Sequence, residues 1–378
     1  MEEKEIEFHF KKKYIEGDSI LQLKDGKLLF YYFIGGYNIY LYNQKTFQKL
    51  YELDIDKLIE VEFDEEEDDD NDEENLHKFH WSNRYSENYK DKMTIKELDN
   101  DLILIGYNKY LIEINSHEKN ISSKIVKKFK ENILDIIELF DKRLIIIAND
   151  NIKEVIKEKE KYVIKNKYPF EDKWKMKRHH SRIDIEYRHF QQHFCSIILP
   201  NDKLLLNNIS SELFDYTGCL SHPTEELTFS KIIFIDLKNF KEILSTETFN
   251  QLLKCILLEN VIVIQAYKDL LLYDINSFQS IKKIKLEQYY NFFNKLNKKY
   301  LIALSQQKIS NNIEIFKIEN NDLIKVNIVQ KKFDFSSKYR WSDYLIDDYN
   351  NNPILMLKDK RILILFGNKL YILKFNKD

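Results

Sequence analysis

Histidines cluster in one short stretch of the chain, at His179, His180, His189 and His193. His189 and His193 are four residues apart and would share one face of a helix, as two metal ligands often do. A zinc site needs three or four ligands, and no Cys or carboxylate at a recognised spacing completes the set. The sequence therefore predicts no metal site, and nothing in it indicates a cofactor.

A basic stretch, residues 173–182, overlaps this histidine cluster. It contains five Lys or Arg residues, one tryptophan and no acid. Basic residues next to an aromatic ring can hold phosphate or single-stranded nucleic acid. Glu171, Asp172 and Asp184 flank the stretch, which favours a solvated loop or a protein contact. Nucleic acid stays open as a partner but is not the favoured one.

The sequence contains no local signature of catalysis. A nucleophile elbow, a phosphate-binding P-loop, a dinucleotide-binding glycine motif and a His-Glu-x-x-His helix are all absent from the sequence. We therefore predict no catalytic residues and expect that the protein is not an enzyme.

One strongly acidic block stands at residues 60–74, with 12 acidic residues and no basic one. Without these 12 charges the net charge of −3 becomes +9, so the remainder of the chain is basic. Such a block repels itself, and we predict a disordered acidic loop over residues 60–75. It is either a solvated charge run, or an arm that screens a basic surface or recruits a basic partner.

The elements that must position these residues follow a repeat. A short polar turn followed at once by a run of Leu, Ile and Val occurs seven times; the runs begin at Leu28, Leu102, Leu144, Leu204, Val261, Tyr300 and Ile362. Continuous apolar runs are typical of strands that are buried on both faces. The shortest distances between runs, about 40 residues, match one four-stranded propeller blade.

The last repeat contains only three strands, because the sequence ends at Asp378 just after the third. Ile6–Phe10 alternates apolar and polar residues, as a strand would, and can supply the missing fourth strand. We predict an all-β fold: one domain over residues 1–378, a seven-bladed β-propeller of four-stranded antiparallel blades, closed by the N-terminal strand.

The chain here resembles WD-repeat-like β-propellers. Ile235-Asp236 and Tyr273-Asp274 stand where the Trp-Asp dipeptide ends the third strand in that family, whereas its Gly-His pair is absent. The resemblance implies the architecture and no binding residues.

Four insertions interrupt the repeat: residues 54–92, which include the acidic loop, and residues 166–192, 209–230 and 331–352. In an up-and-down blade, the links from fourth to first strand and from second to third strand leave from one face, so we expect all four on that face. They contain all three tryptophans. Trp, Tyr and Arg dominate binding hot spots, so we predict a partner-binding set: Trp81, Arg84, Tyr85, Trp174, Arg178, Arg340, Trp341 and Tyr344. Packing of these loops onto the blades is the alternative.

These observations favour a non-enzymatic scaffold or adaptor that binds one or more proteins. The alternatives are an enzyme or ligand binder that uses the central channel of the propeller, and a nucleic-acid-associated subunit that uses the basic body. The charged N-terminus, the lack of an apolar run near 20 residues and three cysteines without paired spacing predict a cytoplasmic protein with no membrane span.

Overall fold

The computed structural model shows strands almost throughout the part of the chain that it describes. The described residues are 11–14, 19–31, 38–63, 93–116, 121–148, 151–159, 161–170, 188–214, 225–248, 252–266, 269–288, 290, 292–306, 311–330, 354–359, 361–366 and 369–374. They form 28 strands in seven four-stranded antiparallel sheets, together with one helix.

One compact unit, Glu16–Phe170, holds the first three sheets. Blade 1 is β2 Ser19–Gln22, β3 Leu28–Tyr31, β4 Asn38–Tyr42 and β5 Lys49–Asp54, followed by the helix α1 Ile55–Phe63. Blade 2 is β6 Met93–Glu97, β7 Leu102–Tyr107, β8 Tyr110–Asn115 and β9 Ser122–Lys128. Blade 3 is β10 Ile133–Glu138, β11 Leu144–Ala148, β12 Asn151–Glu158 and β13 Lys161–Pro169.

The other compact unit, Met1–Ile15 with Glu171–Asp378, holds four sheets. Blade 4 is β14 Arg188–Leu199, β15 Lys203–Phe214, β16 Glu225–Asp236 and β17 Lys241–Thr248. Blade 5 is β18 Leu252–Leu257, β19 Val261–Ala266, β20 Asp269–Asp274 and β21 Ser280–Lys285. Blade 6 is β22 Phe292–Lys295, β23 Tyr300–Gln306, β24 Asn311–Glu319 and β25 Asp322–Gln330. Blade 7 is β26 Ile354–Met356, β27 Arg361–Phe366, β28 Lys369–Lys374 and β1 Lys11–Tyr14.

A strand from the start of the chain completes blade 7, as the sequence predicts. β1 pairs with β28 from Lys11 opposite Ile372 to Tyr14 opposite Lys369. The residues differ from the expectation, because the predicted strand Ile6–Phe10 lies outside the described residues and the pairing strand follows it. The lysines of β1 suit an outermost strand, since charged edges discourage pairing with another chain.

All seven apolar runs form the second strand of a blade, and their side chains are buried where the structure describes them. Neighbouring blades share hydrophobic clusters, such as Leu29, Ile39, Ile103 and Ile112 between blades 1 and 2. The predicted seven-bladed, four-stranded β-propeller is therefore confirmed.

A buried leucine stands at the start of the turn in every blade, as the last residue of the first strand in blade 4 and directly after that strand in the other six. The seven are Leu23, Leu98, Leu139, Leu199, Leu258, Leu296 and Leu357. In blade 1 the N–H of Leu23 donates to the carbonyl of Lys27, and Gly26, with φ of 87°, closes the turn by donating to the carbonyl of Leu23. A turn that ends in a left-handed residue is a common short hairpin connection. It fixes the register of each apolar run against its neighbour.

The fourth strand carries an irregularity in six of the seven blades. Its register against the third strand shifts by one residue in blades 1 to 6, so that one residue is left without a partner. Bulges of this kind bend an outer strand and interrupt its free edge. They protect the exposed edge of each blade from pairing with another chain.

The boundaries of three insertions differ from the predicted ones. Residues 60–63 of the acidic block belong to α1, residues 166–169 belong to β13 and residues 188–192 to β14. Most of the stretch 209–230 is strand, because β15 and β16 run 12 residues each and continue the blade through polar sequence. The rest of these insertions, and all of 331–352, lies outside the described residues.

Candidate partner-binding site

Strand direction gives every blade two different ends. The turns between first and second strands, and between third and fourth strands, lie at one end, which we call the turn end. The connections from second to third strand and from one blade to the next lie at the other, the loop end. Between blades 2 and 3 these loop-end connections meet directly: Phe129 and Ile133 donate backbone hydrogen bonds to the carbonyls of Lys109 and Asn108, at 2.8 and 2.6 Å.

The eight residues predicted to bind a partner lie outside the described residues. Trp81, Arg84 and Tyr85 follow α1 in the chain, Trp174 and Arg178 follow β13, and Arg340, Trp341 and Tyr344 follow β25. The structure shows only where each segment leaves and re-enters the strands. In every case this is the loop end of its own blade, because each segment follows a fourth strand and precedes a first strand.

Helix α1 anchors the beginning of the segment that contains Trp81. The carboxylate of Asp54 accepts the backbone N–H of Lys57 at 3.2 Å and so caps the first turn. Ile55 is fully buried, and Leu58 and Ile59 pack on the cluster between blades 1 and 2. The sequence analysis missed this helix, although Asp54 as a cap and the apolar spacing of residues 55, 58 and 59 are recognisable signals.

Blade 4 is extended at its loop end. β14, β15 and β16 pair continuously from Arg188 opposite Phe214 and Phe214 opposite Glu225, whereas β17 pairs only as far as Ser230 opposite Thr248. A three-stranded sheet therefore continues beyond the fourth strand of this blade. His189 and His193, considered as metal ligands in the sequence, are in β14 and not in a helix. No group of three or more potential metal ligands is present among the described residues.

A fixed charge cluster lies at the loop end of blade 3. Glu131 pairs with Lys153 at 2.9 Å and Lys167 at 2.7 Å, and accepts a hydrogen bond from the amide of Asn151 at 3.3 Å. The bond from Lys167, opposed in part by burial and strengthened by Lys153, lowers the pKa of Glu131 to about 2. One acid with two lysines leaves a net positive charge beside the start of the segment that contains Trp174.

Buried carboxylates also join neighbouring strands and blades. Glu113 of β8 accepts hydrogen bonds from Lys157 at 2.6 Å and Tyr162 at 2.9 Å, both in blade 3. Burial alone would raise the pKa of Glu113, but these bonds and the lysine charges hold it below its ordinary value. Glu314 of β24 has a similar environment, with Tyr290 at 2.7 Å and Lys325 at 3.0 Å. Glu113 therefore joins blades 2 and 3, whereas Glu314 joins strands β24 and β25 of blade 6 to the chain that precedes β22.

The turn end of blades 1 to 3 is tied by a repeated contact. Glu97 of β6 accepts the backbone N–H of Lys24 from the turn of blade 1, with both oxygens at 2.9 Å. Glu138 of β10 accepts the N–H of Asp99 from the turn of blade 2 in the same way, at 2.8 Å. The carboxylate always precedes the buried leucine. The other blades have Ile198, Leu257, Lys295 and Met356 there, so the contact is confined to blades 1 to 3.

One exposed aromatic residue interrupts the polar turn end. Phe140, in the turn of blade 3, is 84% exposed. The first turn residue after the leucine is Lys, Asp, Pro, Glu, Asn or Lys in the other six blades. The sequence analysis did not single out this residue, although comparison of the seven turns reveals it.

Comparisons with known proteins give a fold and no sequence relative. No family model matches the chain, and no curated protein matches it. Among solved structures it is similar to BBS1N in complex with ARL6DN, at 9% identity and TM-score 0.50, covering 97% of this chain and 93% of that one. BamB from Moraxella catarrhalis is similar at 9% identity and TM-score 0.49, covering 98% and 100%. A catalytically inactive virginiamycin B lyase from Staphylococcus aureus is similar at 10% identity and TM-score 0.49, also covering 98% and 100%.

The fold is that of a WD-repeat-like β-propeller. At these identities the likeness concerns the architecture alone, and no binding residue is transferred from it. The one helix in the described ranges, α1, is nine residues long, and no described helix is long and apolar enough to cross a membrane.

Proposed function

We propose that the protein is a non-enzymatic scaffold that binds one or more partner proteins at the loop end of its blades. The observation that carries this proposal is topological. The segments with all three tryptophans leave and re-enter the strands at the loop end, whereas the turn end has connections of only two or three residues between first and second strands. Loops on a rigid scaffold are the usual position of binding residues.

The residue types in these segments support the proposal. Tryptophan, tyrosine and arginine bury large areas and dominate interface energies. Arg340-Trp341-Ser342 and Trp81-Ser82 share a Trp-Ser pair flanked by arginine and tyrosine in two separate segments. The net positive charge around Glu131 favours a partner with an acidic surface near the segment of Trp174.

Three carboxylates that are paired with basic side chains are poorly suited to acid–base catalysis; the pKa of Glu97, by contrast, is raised by burial, and this carboxylate is bound to the backbone N–H of Lys24. Glu113, Glu131 and Glu154 are all paired with Lys or Arg, and each has a pKa below its ordinary value. A general acid or base works best with a pKa near the working pH. Propellers as a fold serve many functions, so the architecture alone does not decide between a scaffold and an enzyme.

A similar fold is seen with a protein bound to it. BBS1N was crystallised in complex with ARL6DN. That likeness, at 9% identity, makes a protein partner a natural proposal for this chain but does not indicate which one.

Quantitative pull-downs test the proposal. Tagged wild-type protein, Trp81→Ala, Trp341→Ala and Phe140→Ala are incubated with lysate of the source cells, and bound proteins are quantified by mass spectrometry. Phe140→Ala is the matched control, because it removes an exposed aromatic side chain from the turn end. We expect the two tryptophan variants to keep the wild-type melting temperature and lose a partner that Phe140→Ala retains.

Two results would overturn the proposal. Tryptophan variants that fold and recover every partner would place the docking surface elsewhere. Variants that unfold would show that the tryptophans are packed structural residues, as in the alternative interpretation of these loops.

A further inference from the structure

The outer strands of blades 2 and 3 are both rich in lysine, and these two blades are consecutive. β9 and β13 contain six lysines and no acid; these are Lys124, Lys127, Lys128, Lys161, Lys165 and Lys167. The outer strands β5, β17, β21 and β25 of blades 1, 4, 5 and 6 also contain six lysines, but together with five acids. Those five acids all lie in β5, β17 and β25, whereas β21, and β1 of blade 7, have three lysines each and no acid. What distinguishes β9 and β13 is that two outer strands without an acid belong to consecutive blades.

The two lysine-rich strands form one continuous surface. Lys124 of β9 and Lys157 of blade 3 both reach Glu113, at 3.6 and 2.6 Å, so the outer parts of the two blades adjoin. We call the surface formed by residues 121–132 and 156–170 the lysine face. It contains nine lysines against three acids in sequence: Glu131, Glu158 and Glu160.

Several positive charges on the lysine face are not neutralised. Lys157, Lys165 and Lys167 hold Glu113, Glu158 and Glu131. Four other lysines of this face make no side-chain ion pair or hydrogen bond with the described residues; they are Lys127, Lys130, Lys159 and Lys161. Three of these, Lys130, Lys159 and Lys161, are exposed. Exposed ammonium groups of this kind are accessible to an anionic ligand.

Protection of the strand edge does not account for the excess. Lysines on an outer strand do discourage edge-to-edge pairing, and that need is the same for every blade. The outer strands β5 and β17 are protected with only one lysine each, together with two acids. Each also carries the bulge described above, which interrupts its free edge. β1 and β21, with three lysines each and no acid, show that edge protection can account for a single lysine-rich strand. It is the juxtaposition of two such strands, β9 and β13, that points to a ligand.

We propose that the lysine face binds the phosphate backbone of nucleic acid without reading its sequence. Lysine provides point charges that suit phosphate, whereas base recognition in a groove typically uses the planar fork of arginine. Neither range of the lysine face contains an arginine, and the nearby Arg143 is held by Asp141 and Glu154 at 2.7 Å each. Binding of this kind is electrostatic and weakens steeply with salt.

This surface is separate from the proposed partner site. It is carried by the described outer strands and not by the tryptophan segments. Loss of oligonucleotide binding and loss of the protein partner can therefore be observed independently, in different variants.

Fluorescence anisotropy with a labelled 20-nucleotide oligothymidylate tests the proposal. One variant replaces Lys127, Lys130, Lys159 and Lys161 by Gln. A matched control replaces four lysines of blades 4 to 6 whose side chains also make no ion pair, Lys238, Lys241, Lys285 and Lys298, so that the net charge changes equally. We expect the first variant to lose at least about tenfold in affinity at low salt, and the slope of log affinity against log salt to fall by up to about 3, since each phosphate contact contributes about 0.7. We expect the control to lose less than about threefold.

Three outcomes would overturn the proposal. Equal losses in the two variants would show that net charge acts without a defined face. If the wild-type protein did not bind the oligonucleotide at low salt, nucleic acid would be ruled out as the ligand of the lysine face. Retention on heparin or on an acidic protein without oligonucleotide binding would assign the lysine face to a different class of polyanion.

Discussion

The turn end and the loop end of the blades are carried by the same strands but are built differently. At the turn end, the connections from first to second strand have two or three residues, closed by backbone hydrogen bonds below a buried leucine. At the loop end, connections vary from the two residues Asn108 and Lys109 to the long segments with the tryptophans. The turn end therefore repeats the hairpin geometry that every blade requires, whereas the length and composition of the connections vary at the loop end.

Gly106 marks a loop-end connection whose length is limited by close packing. A Cβ atom on Gly106, at the end of β7, would lie 2.5 Å from Ile133 and 2.7 Å from Thr94. The link into blade 3 therefore passes directly against the second strand of blade 2. This loop-end connection is short and fixed, in contrast to the segments that precede β6 and follow β13.

The largest loss of stability is expected from Leu98→Ala at the turn end. Leu98 is 5% exposed and packs with Leu104 and Leu144 between blades 2 and 3. Loss of its side chain should lower the free energy of unfolding by about 3 kcal/mol, measured by urea denaturation. Leu50→Ala, at a 42% exposed position of β5, is the control and should cost less than about 1 kcal/mol. Similar losses in both variants would contradict a special role for the turn leucine.

A second prediction concerns the charge cluster around Glu131 at the loop end of blade 3. Glu131→Gln leaves Lys153, whose side chain is 3% exposed, as a buried charge without its acid. After a discount for the partial exposure of Glu131, we expect a loss of about 2 kcal/mol by chemical denaturation at pH 7. Lys167→Gln, at a half-exposed position, should cost less than about 1 kcal/mol.

The same cluster predicts a dependence of stability on pH. The folded-state pKa of Glu131, about 2, is below its ordinary value of 4.5. Its contribution is therefore complete above pH 4.5 and is lost as the pH falls toward 2. The difference in stability between wild type and Glu131→Gln should shrink over this range. A constant difference from pH 6 to pH 2.5 would show that the ion pairs do not stabilise the fold.

A smaller effect is expected at the ties between turns. Glu138→Gln keeps an acceptor for the N–H of Asp99 but removes its charge, which should cost about 0.5–1 kcal/mol. Met356→Leu, at the corresponding position of blade 7, is a neutral control. Thermal denaturation measures both. An unchanged melting temperature in Glu138→Gln would show that the carboxylate does not contribute to stability. If Glu138→Gln failed to recover the protein partner in pull-downs, the turn end would belong to the binding site.

The smallest effect on stability is expected from the acidic segment. Replacing residues 64–75 by a Gly/Ser linker removes ten acidic residues and leaves α1 intact. Because such a composition cannot build a core, the melting temperature should be unchanged. Retention on heparin should move to higher salt, since the remaining chain is basic. A lower melting temperature would show that the segment is part of the folded structure.

The fold was predictable from sequence because its signal is local and repeated. Each apolar run is a second strand, buried between neighbouring blades, so continuous hydrophobicity survives in every copy. The buried turn leucine is also visible in the sequence once the seven turns are aligned. Boundaries were less predictable, since β15 continues through the polar stretch Asn208–Glu212, where it pairs with both β14 and β16.

The functional surfaces were only partly predictable. Tryptophan and charge composition indicate the loop-end segments, but the predicted partner residues lie outside the described residues and stay predictions. The lysine face was not recognised in the sequence because β9 and β13 are separated there by the other three strands of blade 3. Only the fold brings the two strands together, as the contacts of Lys124 and Lys157 with Glu113 show.

Intrinsic tryptophan fluorescence tests the central claim most directly, because all three tryptophans belong to loop-end segments and the blades contain none. The partner recovered in pull-downs is added to the protein. The tryptophans of the partner are first replaced by phenylalanine, so that only the tryptophans of this protein fluoresce. We predict a blue shift of the emission and reduced quenching by acrylamide, both absent when the partner is added to Trp81→Ala,Trp341→Ala protein. Saturating binding with unchanged emission and quenching would contradict the account and move the docking surface away from the loop end.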